Sequence, residues 1–208
     1  MDELIDVCEA DSFHAGMDEV WVIAHPKCPR CGGGDPAELF AQHATRLRDH
    51  LAQKNCRMWM WSDRLLDGKT TNLLPWQASM NNTWRAIDMV SKDIMICDWK
   101  YEDAPPTPAH FAIKGFDVLA CPCANTEVAL AQLEQVYLVR KNGTRADFSK
   151  TISSRMQGMF ETSWMTAEDF VQAYHSSNPA DTSLSKANAD TFKALFAEIR
   201  KNALTHPA

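Results

Sequence analysis

The sequence predicts an α/β fold, because short apolar runs alternate with amphipathic stretches along most of the chain. The run Ile94-Met95-Ile96-Cys97 is continuously apolar, as a buried parallel strand requires. Asp35-Pro36 has the residue types of a helix start, and apolar residues follow it at helical spacing. Five strand-like runs separated by helical stretches predict five βα units, which are part of a (β/α)8 TIM-type barrel.

The five predicted strands are short, and helical or turn-rich stretches separate them. The strands are Ser12 to about Gly16 and residues 57–63, 93–99, 117–121 and 158–164. The predicted helices comprise the end of a helix within residues 1–10 and helices over about 36–54, 109–114, 125–137 and 166–174. Residues 64–91 are predicted as a long connection, 141–155 as a polar stretch, and 176–188 as a linker before a last helix that carries Phe192, Leu195, Phe196 and Ile199.

Composition excludes several classes of partner. The chain has 208 residues, a formal net charge of −6 and 45% hydrophobic residues, which is typical of a globular domain. It has no cluster of basic residues for nucleic acid and no apolar run of about 18 residues for a membrane. We expect no cofactor. Seven scattered cysteines and an acidic N-terminus without a signal-peptide layout favour reduced thiols and a cytoplasmic location.

Acidic and aromatic residues recur where the predicted strands end. In a (β/α)8 enzyme, the working residues lie at the carboxyl ends of the strands. Aromatic faces suit the C–H face of a pyranose ring and carboxylates bind its hydroxyls, so these residues predict a carbohydrate substrate. The two adjacent carboxylates after the first strand are Asp18 and Glu19, and the candidates for the sugar pocket are Trp61, Asp63, Asp98, Trp99, Tyr101 and Trp164.

The run His14-Ala15-Gly16-Met17-Asp18-Glu19, followed by Met60-Trp61-Ser62-Asp63 and Thr162-Ser163-Trp164, resembles family 20 glycoside hydrolases, the β-N-acetylhexosaminidases. The resemblance implies that Glu19 is the acid that protonates the glycosidic oxygen. It implies that Asp18 holds the acetamido group of the substrate, which itself attacks the anomeric carbon with retention. His14 would support the pair. Because neighbouring residues of an ideal strand face opposite sides, the strand must end or bend near Asp18, and Gly16 allows this.

In that family the carboxylate pair closes the fourth strand of the barrel. The resemblance therefore implies roughly the last five βα units, with residues 1–175 as the C-terminal portion of a TIM-barrel glycosidase domain. Residues 176–208 would be the linker and closing helix of the same domain. A complete barrel usually needs roughly 250 residues. We therefore expect a homodimer, or a partner that supplies the missing N-terminal half, to cover the open edges of the sheet.

Some positions depart from the family pattern. The family commonly places a Tyr and an Asp at the end of the seventh strand, where this chain has Cys121-Pro122-Cys123. An acid usually follows the last tryptophan by two residues, and Thr166 stands there. The alternative to an active glycosidase is a catalytically inactive fragment or a carbohydrate-binding remnant of such an enzyme.

A second motif, Cys28-Pro29-Arg30-Cys31, has the spacing of half a zinc site or of a redox pair. A structural zinc ion needs four ligands, and the sequence has no second Cys-x-x-Cys. Cys28 and Cys31 are therefore weak candidates for metal ligands, and a cysteine-bearing surface loop is the simpler interpretation.

Overall fold

The computed structural model of the protein describes residues 1–143, 147–178 and 181–205. Parts of the predicted polar stretch, of the linker and of the closing segment lie outside these residues. The chain divides into two compact units. The first contains Met1–Asp98 and His110–Val118, and the second contains Trp99–Ala109 and Leu119–Ala208.

Five strands form one sheet in the order in which they occur along the chain. β1 pairs with β2 in parallel, with Phe13 opposite Met58, and β2 pairs with β3 in parallel, with Met60 opposite Ile96. Helices lie between the strands, so the predicted α/β fold with a five-stranded parallel sheet is confirmed. The strands are β1 Ser12–His14, β2 Arg57–Trp61, β3 Met95–Trp99, β4 Val118–Cys121 and β5 Met156–Met159.

The described residues contain eight α-helices and two short 3₁₀ helices. The α-helices are α1 Asp2–Cys8, α2 Pro36–Ala52, α3 Gly68–Thr71, α4 Thr107–Ile113, α5 Thr126–Gly143, α6 Asp147–Arg155, α7 Ala167–His175 and α8 Leu184–Thr205. The 3₁₀ helices are Asp63–Leu65 and Thr83–Asp88. No helix in these described parts is both long enough and apolar enough to cross a membrane.

The first unit is built on α2 and the strands beside it. The side chain of Asp35 accepts hydrogen bonds from the backbone N–H groups of Ala37 and Glu38, so the predicted start of this helix is confirmed. Its buried face includes Phe40, Ala44 and Leu51. Strand β3 is buried at every position, as its continuous apolar run predicts. This apolar packing supports the strand ends that carry the predicted carboxylates.

The second unit packs α5 against α6, α8 and β5. The buried face of α5 contains Val128, Leu133 and Val136, as the helical spacing predicts. The rings of Phe170, Tyr174, Phe192 and Phe196 form a cluster between α7 and α8, with Phe192 and Phe196 4.5 Å apart between ring centroids. The last helix therefore contributes an aromatic face as well as the fully buried Leu195.

Several predicted boundaries were wrong, and α5 ends at Gly143 instead of near residue 137. Strand β5 covers Met156–Met159 and not residues 158–164, because the buried Met156 begins the strand. Helix α6 lies within the predicted polar stretch, because Asp147–Arg155 contains only two apolar residues, Phe148 and Ile152, too few to stand out as a helix in the sequence. Helix α8 begins at Leu184, inside the predicted linker, and its early turns bury the polar residue Asn188.

We predict that Leu51→Ala lowers the free energy of unfolding by about 2–5 kcal/mol, because the fully buried side chain leaves a cavity at the end of α2. Leu4→Ala is the matched control, since Leu4 is 58% exposed on α1, and it should change the free energy by less than about 0.5 kcal/mol. Urea unfolding of both variants tests the prediction. Equal effects of the two substitutions would contradict the described core.

Candidate active site

The chain turns sharply after β1, where the predicted catalytic pair lies. The backbone N–H of Ala15 donates to the carbonyl of Trp59 at 2.8 Å, and the carbonyl of Gly16 accepts from Trp61 at 3.0 Å. Pairing with β2 therefore continues to Gly16. Beyond it the backbone leaves the strand conformation, with φ of 75° at Gly16, 75° at Met17 and 50° at Glu19.

This turn determines where the two carboxylates lie. Positive φ costs a glycine little but costs other residues about 1–3 kcal/mol, so surrounding contacts must hold Met17 and Glu19 in place. Both Asp18 and Glu19 are exposed. A Cβ atom on Gly16 would lie 3.6 Å from Oδ1 of Asp18, so the aspartate folds back over the glycine. The turn thus presents both carboxylates at the carboxyl end of β1.

Asp63, which follows β2, binds this turn by a hydrogen bond. It lies at the start of the 3₁₀ helix after β2 and is fully buried. Its Oδ2 atom accepts a hydrogen bond of 2.9 Å from the backbone N–H of Glu19. The carboxylate that the sequence predicts as a sugar ligand therefore contacts the backbone of the predicted acid.

Arg64 forms an ion pair with Asp63 and hydrogen bonds with the long segment that follows β2. Its Nε donates to Asp63 Oδ2 at 2.6 Å, and both side chains are almost wholly shielded from solvent. Its Nη2 donates to the carbonyls of Pro75 and Ala78 at 2.9 and 3.0 Å. The guanidinium also lies 4.6 Å from the ring centroid of Trp21. No sequence motif identifies Arg64 as part of this region.

A second contact holds the segment that follows Glu19. The Nδ2 atom of Asn81 donates to the carbonyls of Val20 and Trp21, at 2.8 and 3.1 Å. No sequence signal identifies Asn81, because it lies in a polar connection remote from β1 along the chain. The turn after β1 is therefore held by hydrogen bonds from Asn81 and to Asp63.

His14 and Trp61, which end β1 and β2, lie together in the first unit. Their ring centroids are 4.3 Å apart. His14 Nδ1 accepts a hydrogen bond of 3.2 Å from the backbone N–H of Gly16, so the neutral ring carries its proton on Nε2. That Nε2 is buried and has no hydrogen-bond partner among the described residues. It is therefore a buried donor whose hydrogen bond is not satisfied within the described residues.

Asp98, another predicted sugar ligand, lies near the end of β3 and is 1% exposed. It accepts a hydrogen bond of 2.6 Å from the hydroxyl of Ser62. This contact joins the ends of β2 and β3, so Asp98, like Asp63, occupies a supporting position in the first unit.

The second unit brings together three of the predicted aromatic residues. The rings of Trp99 and Tyr101 are 5.2 Å apart between centroids. Trp164 is 60% exposed, and its Nε1 donates to the hydroxyl of Tyr101 at 2.8 Å. Thr162 donates to the same hydroxyl at 3.2 Å, and burial raises the pKa of Tyr101 to about 12. These contacts hold an exposed indole face in a defined orientation.

Glu161, three residues before Trp164, is an unusual carboxyl group that sequence reasoning missed. Both of its carboxyl oxygens are buried, and neither has a hydrogen-bond partner within the part of the chain that the structure describes. Burial raises the pKa of Glu161 to about 8. Burial likewise raises the pKa of the Cys123 thiol, whose sulfur accepts a hydrogen bond of 3.3 Å from Nδ2 of Asn188.

Metal binding finds little support in the geometry. Within residues 1–143, 147–178 and 181–205, no three His, Cys, Asp or Glu side chains come close enough together to hold a metal ion. The weak metal prediction for Cys28 and Cys31 therefore lacks a third ligand in this part of the chain.

We predict that Asp63→Ala lowers the free energy of unfolding by about 3–5 kcal/mol, because it leaves the Arg64 guanidinium buried and unpaired. Asp49→Ala, which removes an exposed carboxylate from Arg48, should cost less than about 1 kcal/mol. Denaturant unfolding of the two variants measures the difference. A cost for Asp63→Ala as small as that for Asp49→Ala would mean that the buried pair does not hold this region.

We predict that Glu161 makes stability depend on pH. The pKa of Glu161 is about 8 in the folded protein against an ordinary value of about 4.5, so between these values only the folded state binds this proton. The group's contribution is therefore fully favourable below about pH 4.5 and is lost as the pH rises toward 8. Glu161→Gln should flatten the profile of unfolding free energy against pH and raise stability at pH 8, whereas Glu168→Gln on the exposed face of α7 should not. Parallel profiles for wild type and Glu161→Gln would contradict the prediction.

Comparison with known proteins gives the family. Curated protein sequences contain no match. The crystal structure of a beta-N-acetylhexosaminidase from Bacteroides fragilis NCTC 9343 is similar with a TM-score of 0.41 and 17% sequence identity, over 97% of this chain and 42% of that chain. The chain thus spans less than half the length of that enzyme chain. Residues 1–175 match the model of glycosyl hydrolase family 20, catalytic domain, and the chain belongs to this family, as its motifs predicted.

Proposed function

We propose that the chain is a β-N-acetylhexosaminidase-like glycosidase that releases terminal N-acetylhexosamine by substrate-assisted hydrolysis with retention. The observation that carries the proposal is the exposed pair Asp18 and Glu19 on the turn after β1, with the backbone of Glu19 bound to the buried Asp63. Family membership supports the reaction class, and this geometry supports the assignment of the pair.

The proposed reaction has two steps. In the first, the Glu19 carboxyl group donates its proton to the glycosidic oxygen while the acetamido oxygen of the substrate attacks the anomeric carbon. The glycosidic bond breaks, the alcohol leaves, and a cyclic oxazolinium intermediate forms. In the second step, the Glu19 carboxylate takes a proton from water, which attacks the anomeric carbon and reopens the ring. Two inversions at this carbon give net retention.

Asp18 acts on the nucleophile in this proposal. Its carboxylate accepts a hydrogen bond from the acetamido N–H, which orients the carbonyl oxygen and stabilises the positive charge that develops on the cyclised group. Both side chains are exposed on the same turn, which suits joint contact with one sugar. Their orientation depends on the left-handed backbone at Met17 and Glu19.

The supporting residues have different proposed roles. We propose that Asp63 is a positioning residue. It is fully buried, so a sugar would not contact it, and its carboxylate accepts a hydrogen bond from the backbone N–H of Glu19. The free Nε2–H of His14, beside Trp61, is suited to donate to a substrate oxygen. Trp164 is suited to stack on a sugar ring, since its indole is exposed and fixed by Tyr101.

We predict that Glu19→Gln lowers kcat on a chromogenic N-acetylglucosaminide at least about 100-fold, because the amide has no proton to donate. Asp18→Asn should also lower kcat, because it weakens the contact with the acetamido N–H. Glu3→Gln, on an exposed residue of α1, should leave turnover unchanged. The corresponding glucoside, which lacks the acetamido group, should not be hydrolysed. Unchanged turnover by Glu19→Gln would overturn the assignment.

A carbohydrate-binding role without catalysis is the second candidate, and the exposed Trp164 favours it specifically. In that case Trp164→Ala would abolish sugar binding in calorimetry, while Glu19→Gln would have no effect on binding and the folded wild-type chain would show no turnover. Trp76→Ala is the matched control, because Trp76 is 40% exposed and lies outside the predicted sugar pocket. Turnover that Glu19→Gln abolishes would exclude the purely binding role.

A further inference from the structure

The loop between the turn after β1 and helix α2 contains the two cysteines of the Cys-Pro-Arg-Cys motif. Both thiols are free and partly exposed. The backbone N–H of Cys28 donates to the backbone carbonyl of His25 at 2.8 Å. The N–H groups of Gly32 and Gly34 donate to the carbonyls of Cys28 and Cys31, at 2.9 and 3.2 Å respectively. This series of short-range hydrogen bonds gives the loop a compact form of its own.

Gly32 allows this compact form. A Cβ atom at this position would lie 2.6 Å from the carbonyl oxygen of Cys28 and 2.7 Å from that of Pro26. Both atoms belong to the backbone, so a side chain could be accommodated only by opening the loop. The close approach of these carbonyls therefore requires glycine at position 32, directly after Cys31.

The two sulfur atoms lie in different environments. The backbone N–H of Cys31 donates to Sγ of Cys28 at 3.2 Å. Interaction with the Cys31 side chain, together with backbone N–H groups of the loop, lowers the pKa of the Cys28 thiol. Interaction with the Cys28 side chain, followed by burial, raises the pKa of the Cys31 thiol. Of the two thiols, Cys28 therefore loses its proton more readily, and its sulfur is the one that accepts the backbone hydrogen bond.

These contacts suit disulfide exchange better than metal binding. A structural metal site needs two further ligands beside the two sulfurs, and the described residues offer no cluster of three. Disulfide exchange needs an accessible thiol that ionises readily and a second thiol nearby, and the loop contains two partly exposed thiols three residues apart, of which Cys28 has the lowered pKa. The exposed Lys27 and Arg30 flank the pair with positive charge, which favours anionic thiol compounds.

We propose that Cys28 and Cys31 form a dithiol–disulfide exchange site that is oxidised by small-molecule disulfides, with Cys28 as the attacking and Cys31 as the resolving residue. The Cys28 thiolate attacks one sulfur of the disulfide, whose S–S bond breaks and releases one thiolate. Cys31 then loses its proton to solvent and attacks Sγ of Cys28, which releases the second thiolate. The protein loses two electrons and two protons, and the disulfide becomes two thiols.

The proposal is tested on the full chain with oxidised glutathione, followed by alkylation and peptide mass spectrometry. Wild type should acquire a Cys28–Cys31 disulfide. Cys31→Ser should retain one glutathionyl group on Cys28. Cys28→Ser should form no disulfide within the protein and no mixed disulfide with glutathione at Cys31. In the reduced protein at pH 7, iodoacetamide should modify Cys28 at least about threefold faster than the exposed Cys8 on α1, which is the internal reference.

Two results would overturn the proposal. One is wild-type protein that remains reduced at both cysteines in excess oxidised glutathione while Cys8 reacts. The other is equal alkylation rates for Cys28 and Cys8. Both measurements use the wild-type chain, so the outcome stands even where a serine variant fails to fold. Neither measurement involves hydrolysis, so the result is independent of the proposed glycosidase activity.

Discussion

The buried ion pair between Asp63 and Arg64 is the interaction on which the candidate active site depends. One carboxylate oxygen accepts both the Arg64 Nε–H and the backbone N–H of Glu19. The arginine in turn binds two carbonyls of the connection after β2 and the ring of Trp21. A charge this deeply buried is tolerated only with its partner present, so the pair links the end of β2 to the turn that follows β1.

This link explains how the turn retains an unfavourable backbone. Left-handed φ values at Met17 and Glu19 are costly for residues with side chains, and surrounding structure must supply the compensation. The hydrogen bond to Asp63 acts directly on Glu19, and the two hydrogen bonds from Asn81 act on the residues just beyond it. Conformational strain and its compensation therefore coincide on the turn that carries the two carboxylates.

Sequence reasoning predicted features that local chemistry determines. It predicted that Asp35 caps α2 and that β3 is an apolar, buried strand. It also predicted that the chain bends near Asp18, since neighbouring residues of a straight strand would face opposite sides. Which polar side chains become buried depends on tertiary packing, and the sequence alone does not predict it. Asp63 has the residue type of a sugar ligand, and only the fold shows that it is wholly buried. Arg64 and Glu161 belong to no local motif, and α6 contains only two apolar residues, Phe148 and Ile152.

The measurement that tests the account most directly is a double-mutant cycle on kcat with Asp63→Asn and Glu19→Gln, using variants whose folding is checked by circular dichroism. If Asp63 acts by positioning Glu19, Asp63→Asn lowers kcat in the wild-type background and causes little further loss in the Glu19→Gln background. Independent losses that multiply in the double variant would contradict this account, because Asp63 would then contribute to catalysis without acting through Glu19.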